Sequence, residues 1–103
     1  MINIIKEGER CGFQMTFKNG WTVSIQIGRG NYCDNRHKSS DFSKCENAEI
    51  AAVDKNGEWY KFDYDSVQGY VSTDDIAKFI LMVCEFAGDA EAINSIREVH
   101  DGQ

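Results

Sequence analysis

The chain contains no proline, only two histidines and no long apolar run. Its apolar stretches fall far short of the ~18 residues that a membrane helix needs, and residues 1–7 become polar too early for a signal peptide. The sequence therefore predicts a cytoplasmic protein that is not inserted into membranes. Its four cysteines include no CxxC pair, and thiols in that compartment are kept reduced. We expect all four cysteines to be free.

The composition is that of one folded domain spanning residues 1–103. Hydrophobic residues make up 42% of the chain, and six Phe, four Tyr and two Trp provide bulk for a core without metals or disulfides. Seventeen acidic and 11 basic residues give a formal net charge of −6. This charge opposes docking onto a nucleic-acid polymer or an anionic membrane. We expect neither as a partner, although a local basic pocket is compatible with the overall charge.

Two runs, residues 12–18 and 21–28, alternate apolar and polar side chains, which is the period of a β-strand. The KNG sequence at 18–20 sets their register. A two-residue Asn-Gly turn would scatter apolar side chains over both faces, whereas a three-residue loop with a left-handed Gly20 brings them onto one face. The second register makes three apolar cross-strand pairs, Phe17–Trp21, Met15–Val23 and Phe13–Ile25.

A second hairpin is predicted at residues 48–54 and 58–64, around another KNG sequence at 55–57. With Gly57 again left-handed, its cross-strand pairs are Val53–Trp59, Ala52–Tyr60 and Ile50–Phe62. Residues 2–6 add an edge strand. The sequence thus predicts an antiparallel sheet of four to five strands, built from two hairpins.

After a bend at residues 68–71, two C-terminal helices are predicted at about 73–87 and 90–100, which completes an α+β fold. Ser72 is placed to cap the first helix and Gly88 to end it. Cys84 lies on the apolar face of this helix, and we expect it to be core packing. Three further apolar residues, Leu81, Met82 and Phe86, make the apolar surface of this helix wider than packing against one sheet face would cover. This width predicts a homodimer or a larger closed oligomer.

A long polar loop at residues 29–47 is the first candidate for a binding site, because loops of this length are usually functional or disordered. The candidate residues are Arg29, Asn31, Tyr32, Asn35 and Arg36. The arginines offer planar charged groups for phosphate, the tyrosine a ring for base stacking, and the asparagines hydrogen bonds to polar edges. The glycines beside Arg29 allow backbone amides to face an anion. These features predict a nucleotide pocket, but on composition alone a solvated loop whose glycines end a strand is the simpler interpretation.

Metal and catalytic sites have weaker support in the sequence. Cys33, His37 and Cys45 carry zinc-binding groups, but their spacing matches no common zinc pattern and no fourth ligand lies nearby. His37 and His100 have no nucleophile and orienting acid arranged by a known motif. An acid–base pair assembled only by the fold stays open as an alternative. We therefore predict no metal, no cofactor and no enzymatic activity.

Residues 12–35 read GFQMTFKNGWTVSIQIGRGNYCDN, and this stretch resembles small phage proteins with an NG-aromatic-TVSVQFGxGNY core. The sequences AEIA at 48–51 and GYVSTD at 69–74 look similar too, so the resemblance covers most of residues 12–80. The group that the chain most resembles is the phage anti-Thoeris sponge family, which sequesters the cyclic ADP-ribose isomers made by bacterial TIR proteins.

The resemblance implies tight binding of a small anionic nucleotide without turnover, at pockets between subunits, inside the infected bacterial host cell. Some members of the family also bind cyclic oligonucleotides. By position, it implies five candidate ligand-binding residues without assigned roles: Trp21, Arg29, Asn31, Tyr32 and Asn35. Arg36 joins them on charge alone. Arg29 departs from the family pattern, in which a small or cyclic residue is expected between the two glycines.

Three other functions compete with that of a nucleotide sponge. The first is a phage inhibitor that acts by protein contact on a host defence enzyme such as CRISPR machinery, with an acidic surface that imitates nucleic acid. Because the acids are spread among turns and helix starts rather than lined up, mimicry has weak support. A small enzyme and a structural phage protein are the other two.

Overall fold

The computed structural model describes residues 1–36, 44–63 and 65–101. Five strands form one antiparallel sheet in chain order and two helices follow, which confirms the α+β fold class. The strands are β1 (Ile2–Glu7), β2 (Arg10–Thr16), β3 (Thr22–Gly28), β4 (Asn47–Val53) and β5 (Gln68–Ser72). The helices are α1 (Thr73–Cys84) and α2 (Ala90–Asp101). Neither helix is long and apolar enough to cross a membrane.

The β2–β3 hairpin has the predicted register. Its apolar cross-strand pairs include Met15–Val23 and Phe13–Ile25. At the turn, the Phe17 N–H donates to the Trp21 carbonyl oxygen at 2.9 Å, and Gly20 takes the left-handed conformation that the three-residue loop requires, with φ 91°. The apolar side chains of both strands therefore share the sheet face that forms the core.

The second predicted hairpin is correct as far as Tyr60 and wrong beyond it. Gly57 is left-handed, with φ 84°, and Trp59 makes an isolated bridge to Val53. The Tyr60 N–H donates to the Ala52 carbonyl oxygen at 2.9 Å, as the predicted register requires. Residues 58–63, the described part of the strand predicted at 58–64, do not form a continuous strand. Phe62 and Asp65 exchange backbone hydrogen bonds of 2.7 and 2.8 Å, which reverse the chain at this point. Alternation of apolar residues in this segment therefore did not produce a sheet strand.

The fifth strand is β5, which occupies the segment where a bend was expected. Ile50 pairs with Gln68 of β5 instead of Phe62. The Phe62 ring packs against Tyr60 and Phe79 at centroid distances of 4.9 and 5.4 Å. Its side chain is thus half-buried against Tyr60 and the α1 residue Phe79 rather than paired within the sheet.

The core lies between one face of the sheet and α1. Trp21 is its largest buried side chain, with 1% of its surface exposed, and Val23 and Val83 are completely buried. Phe86 meets the Trp21 ring edge-on at 4.9 Å. Aromatic contacts continue from Phe86 through Tyr60 at 5.7 Å, so the cluster joins the β2–β3 hairpin to the helix.

α1 begins where predicted and ends earlier. The Ser72 hydroxyl accepts the Asp75 N–H at 3.3 Å, which confirms the predicted N-cap. At the other end, the Asn19 side-chain amide donates to the carbonyl oxygens of Val83 and Phe86 at 2.9 and 3.0 Å. These bonds satisfy helix-end carbonyls that would otherwise need further turns or water.

Two predictions about the end of α1 are wrong. Gly88 does not adopt a left-handed conformation, and its carbonyl oxygen accepts the Trp21 indole N–H at 2.8 Å. Cys84 is exposed, not part of the core, because the helix rotates Phe79 and Val83 toward the sheet. The helix end is therefore fixed by side chains of the β2–β3 turn, and no glycine terminator is needed.

Asp54 links the turn after β4 to the start of α2. Its buried carboxylate accepts the N–H groups of Asn56, Glu58 and Ala90 at 2.8, 3.0 and 2.8 Å. Burial acts to raise the pKa of Asp54, but the N–H donors favour the charged form and hold that pKa below its usual value. Because Ala90 is the first residue of α2, the same carboxylate also caps this helix.

We expect the substitution Trp21→Ala to lower the free energy of unfolding by about 3–5 kcal/mol, because it empties the largest buried site in the core. Trp59 is the matched control, since it is 47% exposed, and Trp59→Ala should cost less than about 1 kcal/mol. Denaturant unfolding of the two variants measures both values. Equal losses would show that Trp21 does not anchor the core.

We expect Asp54→Asn to destabilise the fold by about 1–3 kcal/mol at neutral pH, because an amide replaces the charged acceptor of three N–H groups. The depressed pKa means that the stabilisation is present above the ordinary value of about 3.9 and is lost as pH falls through the lower folded pKa. Wild type and variant should therefore converge in acid. Denaturant titrations at a series of pH values test this, and a gap that stays constant would contradict it.

Candidate functional site

The segment after β3, residues 28–36, folds into a compact series of turns. The Gly30 N–H donates to the Arg36 carbonyl oxygen at 3.3 Å, and the Asn31 N–H to that of Gly28 at 3.1 Å. The Arg36 N–H donates in turn to the Cys33 carbonyl oxygen at 3.1 Å. These hydrogen bonds join the start and the end of the segment, so residues 28–36 form a compact turn structure. We refer to residues 28–36 as the β3 knuckle.

Gly28 and Asn35 fix the base of the β3 knuckle against β2. Gly28 has φ 114°, and a Cβ atom there would collide with the carbonyl oxygen of Glu9. Its N–H donates to the side-chain oxygen of Asn35 at 2.9 Å, while the Asn35 amide donates to the Lys44 carbonyl oxygen at 2.8 Å. Asn35 is buried, so this predicted ligand-binding residue holds the two ends of the loop together.

Asn31 is also buried, and it faces β3 and β4. Its amide lies 3.4 Å from the side-chain oxygens of both Gln26 and Glu49. The other carboxylate oxygen of Glu49 accepts the Tyr32 N–H at 3.0 Å. Asn31 therefore belongs to a buried network, and its Oδ1 atom has no hydrogen-bond partner among the described residues.

The backbone amides of the knuckle do not form the anion cradle that the glycines suggested. Glu49 takes the Tyr32 N–H, and the side chain of Asn47 takes the Asp34 N–H at 2.9 Å. The Arg29 N–H donates to the Glu9 carbonyl oxygen at 3.2 Å. Since β4 and the β1–β2 turn supply acceptors for these three amides, they are not available to an anion.

Tyr32 and Arg36 are the predicted residues that the structure brings together at the surface. The Arg36 guanidinium carbon lies 4.4 Å from the centre of the Tyr32 ring, which is a cation–π contact. Tyr32 is 44% exposed, Arg36 is half-buried, and the Arg36 Nε has no partner among the described residues. An exposed aromatic ring and a half-buried guanidinium thus lie together, with the Nε of that guanidinium buried.

β5 contributes a second exposed ring beside Tyr32. The Tyr70 N–H donates to the Tyr32 carbonyl oxygen at 2.8 Å, and Gly69 lies so close to the Tyr32 side chain that an added Cβ would collide with it. Tyr70 is 55% exposed and has φ 56°, a left-handed conformation that costs a bulky residue ~1–2 kcal/mol. We refer to Tyr32, Arg36, Gly69 and Tyr70 as the tyrosine site.

A groove runs from Gly69 and Tyr70 between β5 and α1. Its volume is about 410 Å³, within the ~300–1,000 Å³ typical of ligand pockets. One side of the groove is lined by the apolar residues Phe62, Phe79 and Met82. The charged residues Lys78 and Asp75 also line it. Two members of the tyrosine site, Gly69 and Tyr70, thus line a space of suitable size for a small molecule, while Tyr32 and Arg36 lie outside its lining.

The structure separates the remaining predicted site residues from the tyrosine site. Arg29 is exposed and pairs with Glu9 at 3.1 Å. Trp21 precedes β3, whereas the knuckle follows that strand, so the two lie roughly 23 Å apart at ~3.3 Å per residue. Because Trp21 is buried in the core, its side chain is not accessible to a ligand in this structure.

The sequence prediction did not include Gly69 and Tyr70 in the site, nor Glu49, which supports it. Tyr70 lies in the GYVSTD segment of the family resemblance, but its exposure follows from a left-handed backbone that residue type does not indicate. Glu49 had a weak signal, since it is a charged residue within the apolar β4 sequence NAEIAAV. A charge at such a position needs partners, and the knuckle amide and Asn31 provide them.

The two cysteines near the knuckle are structural thiols. The Cys33 thiol is buried and donates to the Asn35 side-chain oxygen at 2.9 Å, while the Cys45 thiol lies 3.8 Å from the Asn47 side-chain oxygen. Burial is the largest effect on Cys33 and raises the pKa of its thiol, and Cys45 raises it further. Cys33 is thus a neutral hydrogen-bond donor at neutral pH, which makes it a poor nucleophile.

Within residues 1–36, 44–63 and 65–101, no three His, Cys, Asp or Glu side chains come together as a metal site. His37, a member of the zinc alternative, lies outside the described residues, as does the side chain of His100. Comparison with protein-family models, curated proteins and solved structures finds no match to this chain. What the chain does is therefore inferred from its own residues.

We expect Tyr70→Gly to be more stable than Tyr70→Ala by about 1 kcal/mol, because glycine adopts φ 56° without strain and alanine does not. Gln68 in the same strand is the matched control. There the order should reverse, since glycine in an ordinary strand position is less stable than alanine by ~0.5–1 kcal/mol. Thermal and denaturant unfolding measure the four variants, and the same order at both positions would show that Tyr70 is not strained.

Proposed function

We propose that this chain binds and sequesters a small cyclic nucleotide signal without cleaving it. The ligand class is a cyclic ADP-ribose isomer, with cyclic oligonucleotides as further ligands. The protein would act as a phage immune-evasion protein in the cytoplasm of the infected bacterial host. The observation that carries the proposal is the exposed Tyr32 ring with the Arg36 guanidinium 4.4 Å from its centre, next to exposed Tyr70.

The chemistry of the tyrosine site suits such a ligand. Every nucleobase has a face that stacks on an aromatic ring, and each such contact contributes ~1–3 kcal/mol. A guanidinium binds phosphate through two parallel hydrogen bonds. Because the Arg36 Nε is buried, the terminal guanidinium nitrogens are the atoms that would contact the phosphate. One site thus offers separate groups for the base and for the phosphate of the same molecule.

The strain at Tyr70 supports a binding role. A left-handed tyrosine destabilises the fold, and its exposed ring does not offset the cost by burial in the core. Strained residues persist where the surrounding structure holds them and cluster at functional sites. Here the strain keeps a second ring at the mouth of the groove between β5 and α1.

The overall charge of −6 does not prevent binding of a small anion. Charges more than ~8 Å away are largely screened at physiological salt, so the nearest groups dominate. At the tyrosine site the Arg36 guanidinium lies 4.4 Å from the centre of the Tyr32 ring. The Glu49 carboxylate is also close, but its oxygens accept hydrogen bonds from Asn31 and from the Tyr32 N–H, on the backbone side of that residue. The resemblance of residues 12–35 to nucleotide sponges points to the same ligand class.

Calorimetric titration tests the proposal, with cyclic ADP-ribose isomers and cyclic di- and trinucleotides as probes. Tyr32→Ala and Arg36→Ala should each weaken binding by roughly ten- to a hundredfold, because each removes one stacking or charge-assisted contact. Arg29→Ala should weaken it less, since Arg29 is already paired with Glu9. Mass spectrometry of the ligand released by denaturation should recover it intact.

Matched controls come from the opposite end of the sheet. Trp59→Ala removes an exposed ring and Lys18→Ala an exposed charge, and both should leave the affinity unchanged. If wild type binds none of the probes, the sponge proposal fails and inhibition by protein contact takes its place. If the control variants lose as much affinity as Tyr32→Ala, the ligand does not bind at the tyrosine site. Recovery of a cleaved product would instead make the protein an enzyme.

A further inference from the structure

β1 is an edge strand, and no other strand of the described residues pairs with its outer side, while its apolar side chains are exposed. Ile2 and Ile4 are 67% and 72% exposed. They lie opposite Met15 and Phe13 of β2, which places them on the same sheet face as the core. The helix α1 packs on β3, β4 and β5, so it leaves this apolar half of the face open.

The backbone of β1 offers a defined set of unpaired groups. Met1 and Thr16 exchange two hydrogen bonds, of 2.9 and 3.1 Å. In an antiparallel pair, hydrogen-bonded positions alternate with non-bonded ones, so Asn3, Ile5 and Glu7 also bond inward to β2. The N–H and C=O groups of Ile2, Ile4 and Lys6 therefore point outward from the sheet edge.

These outward groups match those of a second copy in one antiparallel register. A two-fold axis through Ile4 places Ile4 against Ile4 of the other copy, and Ile2 against its Lys6. Each of these is a hydrogen-bonded pair, which gives about six interchain hydrogen bonds and satisfies the outward groups of all three residues in both copies. Shifting the register by two residues leaves either Ile2 or Lys6 unpaired, and shifting it by one puts apolar residues on the wrong face.

We propose that two copies of this chain join through β1 in this register and form one continuous sheet with a shared apolar strip. The strip contains Ile2 and Ile4 of both copies beside Phe13 and Met15. No like charges face each other, because each Lys6 lies opposite an isoleucine, along which its aliphatic stem packs while the ammonium group reaches water. The interface is self-complementary, as a two-fold dimer requires.

The opposite edge of the sheet is less suited to strand pairing. β5 has only five residues and its pairing with β4 is interrupted by a register shift between Ala48 and Ile50. Short and bulged edge strands resist the addition of another chain. β1 is longer and regularly paired along Ile2–Glu7, so it is the edge that a second copy fits. This dimer does not depend on nucleotide binding.

Light scattering and sedimentation at micromolar concentration test the dimer. Wild type should have twice the 11.7 kDa mass of one chain. Ile4→Lys should raise the dissociation constant by roughly a hundredfold, because it removes the apolar contact on the axis and opposes two like charges there. The monomer should still fold, since Ile4 is exposed within one chain. Leu81→Lys, at an exposed apolar position on α1, is the control and should leave the dimer intact.

Disulfide trapping tests the register itself. Hydrogen-bonded antiparallel partners have Cα atoms ~5.5 Å apart, within the ~4.4–6.8 Å that a disulfide spans. Under mild oxidation, Ile4→Cys should form a covalent dimer linked at position 4, whereas Ile2→Cys, which faces Lys6, should not. The native cysteines make wild type the background control. A monomeric wild type overturns the proposal, as does a dimer that Leu81→Lys dissociates and Ile4→Lys does not.

Discussion

The turn between β2 and β3 holds the helices to the sheet. The Asn19 side chain accepts the Trp21 N–H at 3.0 Å and donates to the carbonyl oxygens of Val83 and Phe86. The Trp21 indole donates to the carbonyl oxygen of Gly88. One short turn thus satisfies the end of α1 and places the largest core side chain beneath it. The position of α1 over β3, β4 and β5 follows from this contact, and so does the exposure of the apolar strip on β1.

Much of the fold was predictable where the determining contacts are local. The three-residue turn ending at Gly20 follows from matching apolar faces across two adjacent strands, and Ser72 caps the helix three residues before Asp75. The strand at 58–64 failed because a reversal at Phe62 and Asp65 is as local as the alternation and overrides it. β5 depends on pairing with β4, roughly 20 residues away, which no local pattern specifies.

The candidate site was predictable only in part, because residue type does not distinguish a ligand contact from a structural one. Asn31 and Asn35 are short polar residues in a glycine-rich segment, as in many binding loops. Their partners come from β3, β4 and Lys44, so their burial depends on packing that the loop sequence does not contain. Tyr32 and Arg36 were predicted from the chemistry of their side chains, and the structure places those side chains in contact with each other.

The buried asparagines hold the backbone that carries the exposed site. Asn35 ties Gly28 to Lys44, and Asn31 with Glu49 holds the knuckle against β4. These contacts fix the backbone that carries Tyr32 and Arg36, whose side chains already contact each other. A site ordered before binding loses less conformational entropy when a ligand arrives. Under the proposed function, Asn31, Asn35 and Glu49 would therefore contribute to affinity without touching the ligand, by keeping Tyr32 and Arg36 in position.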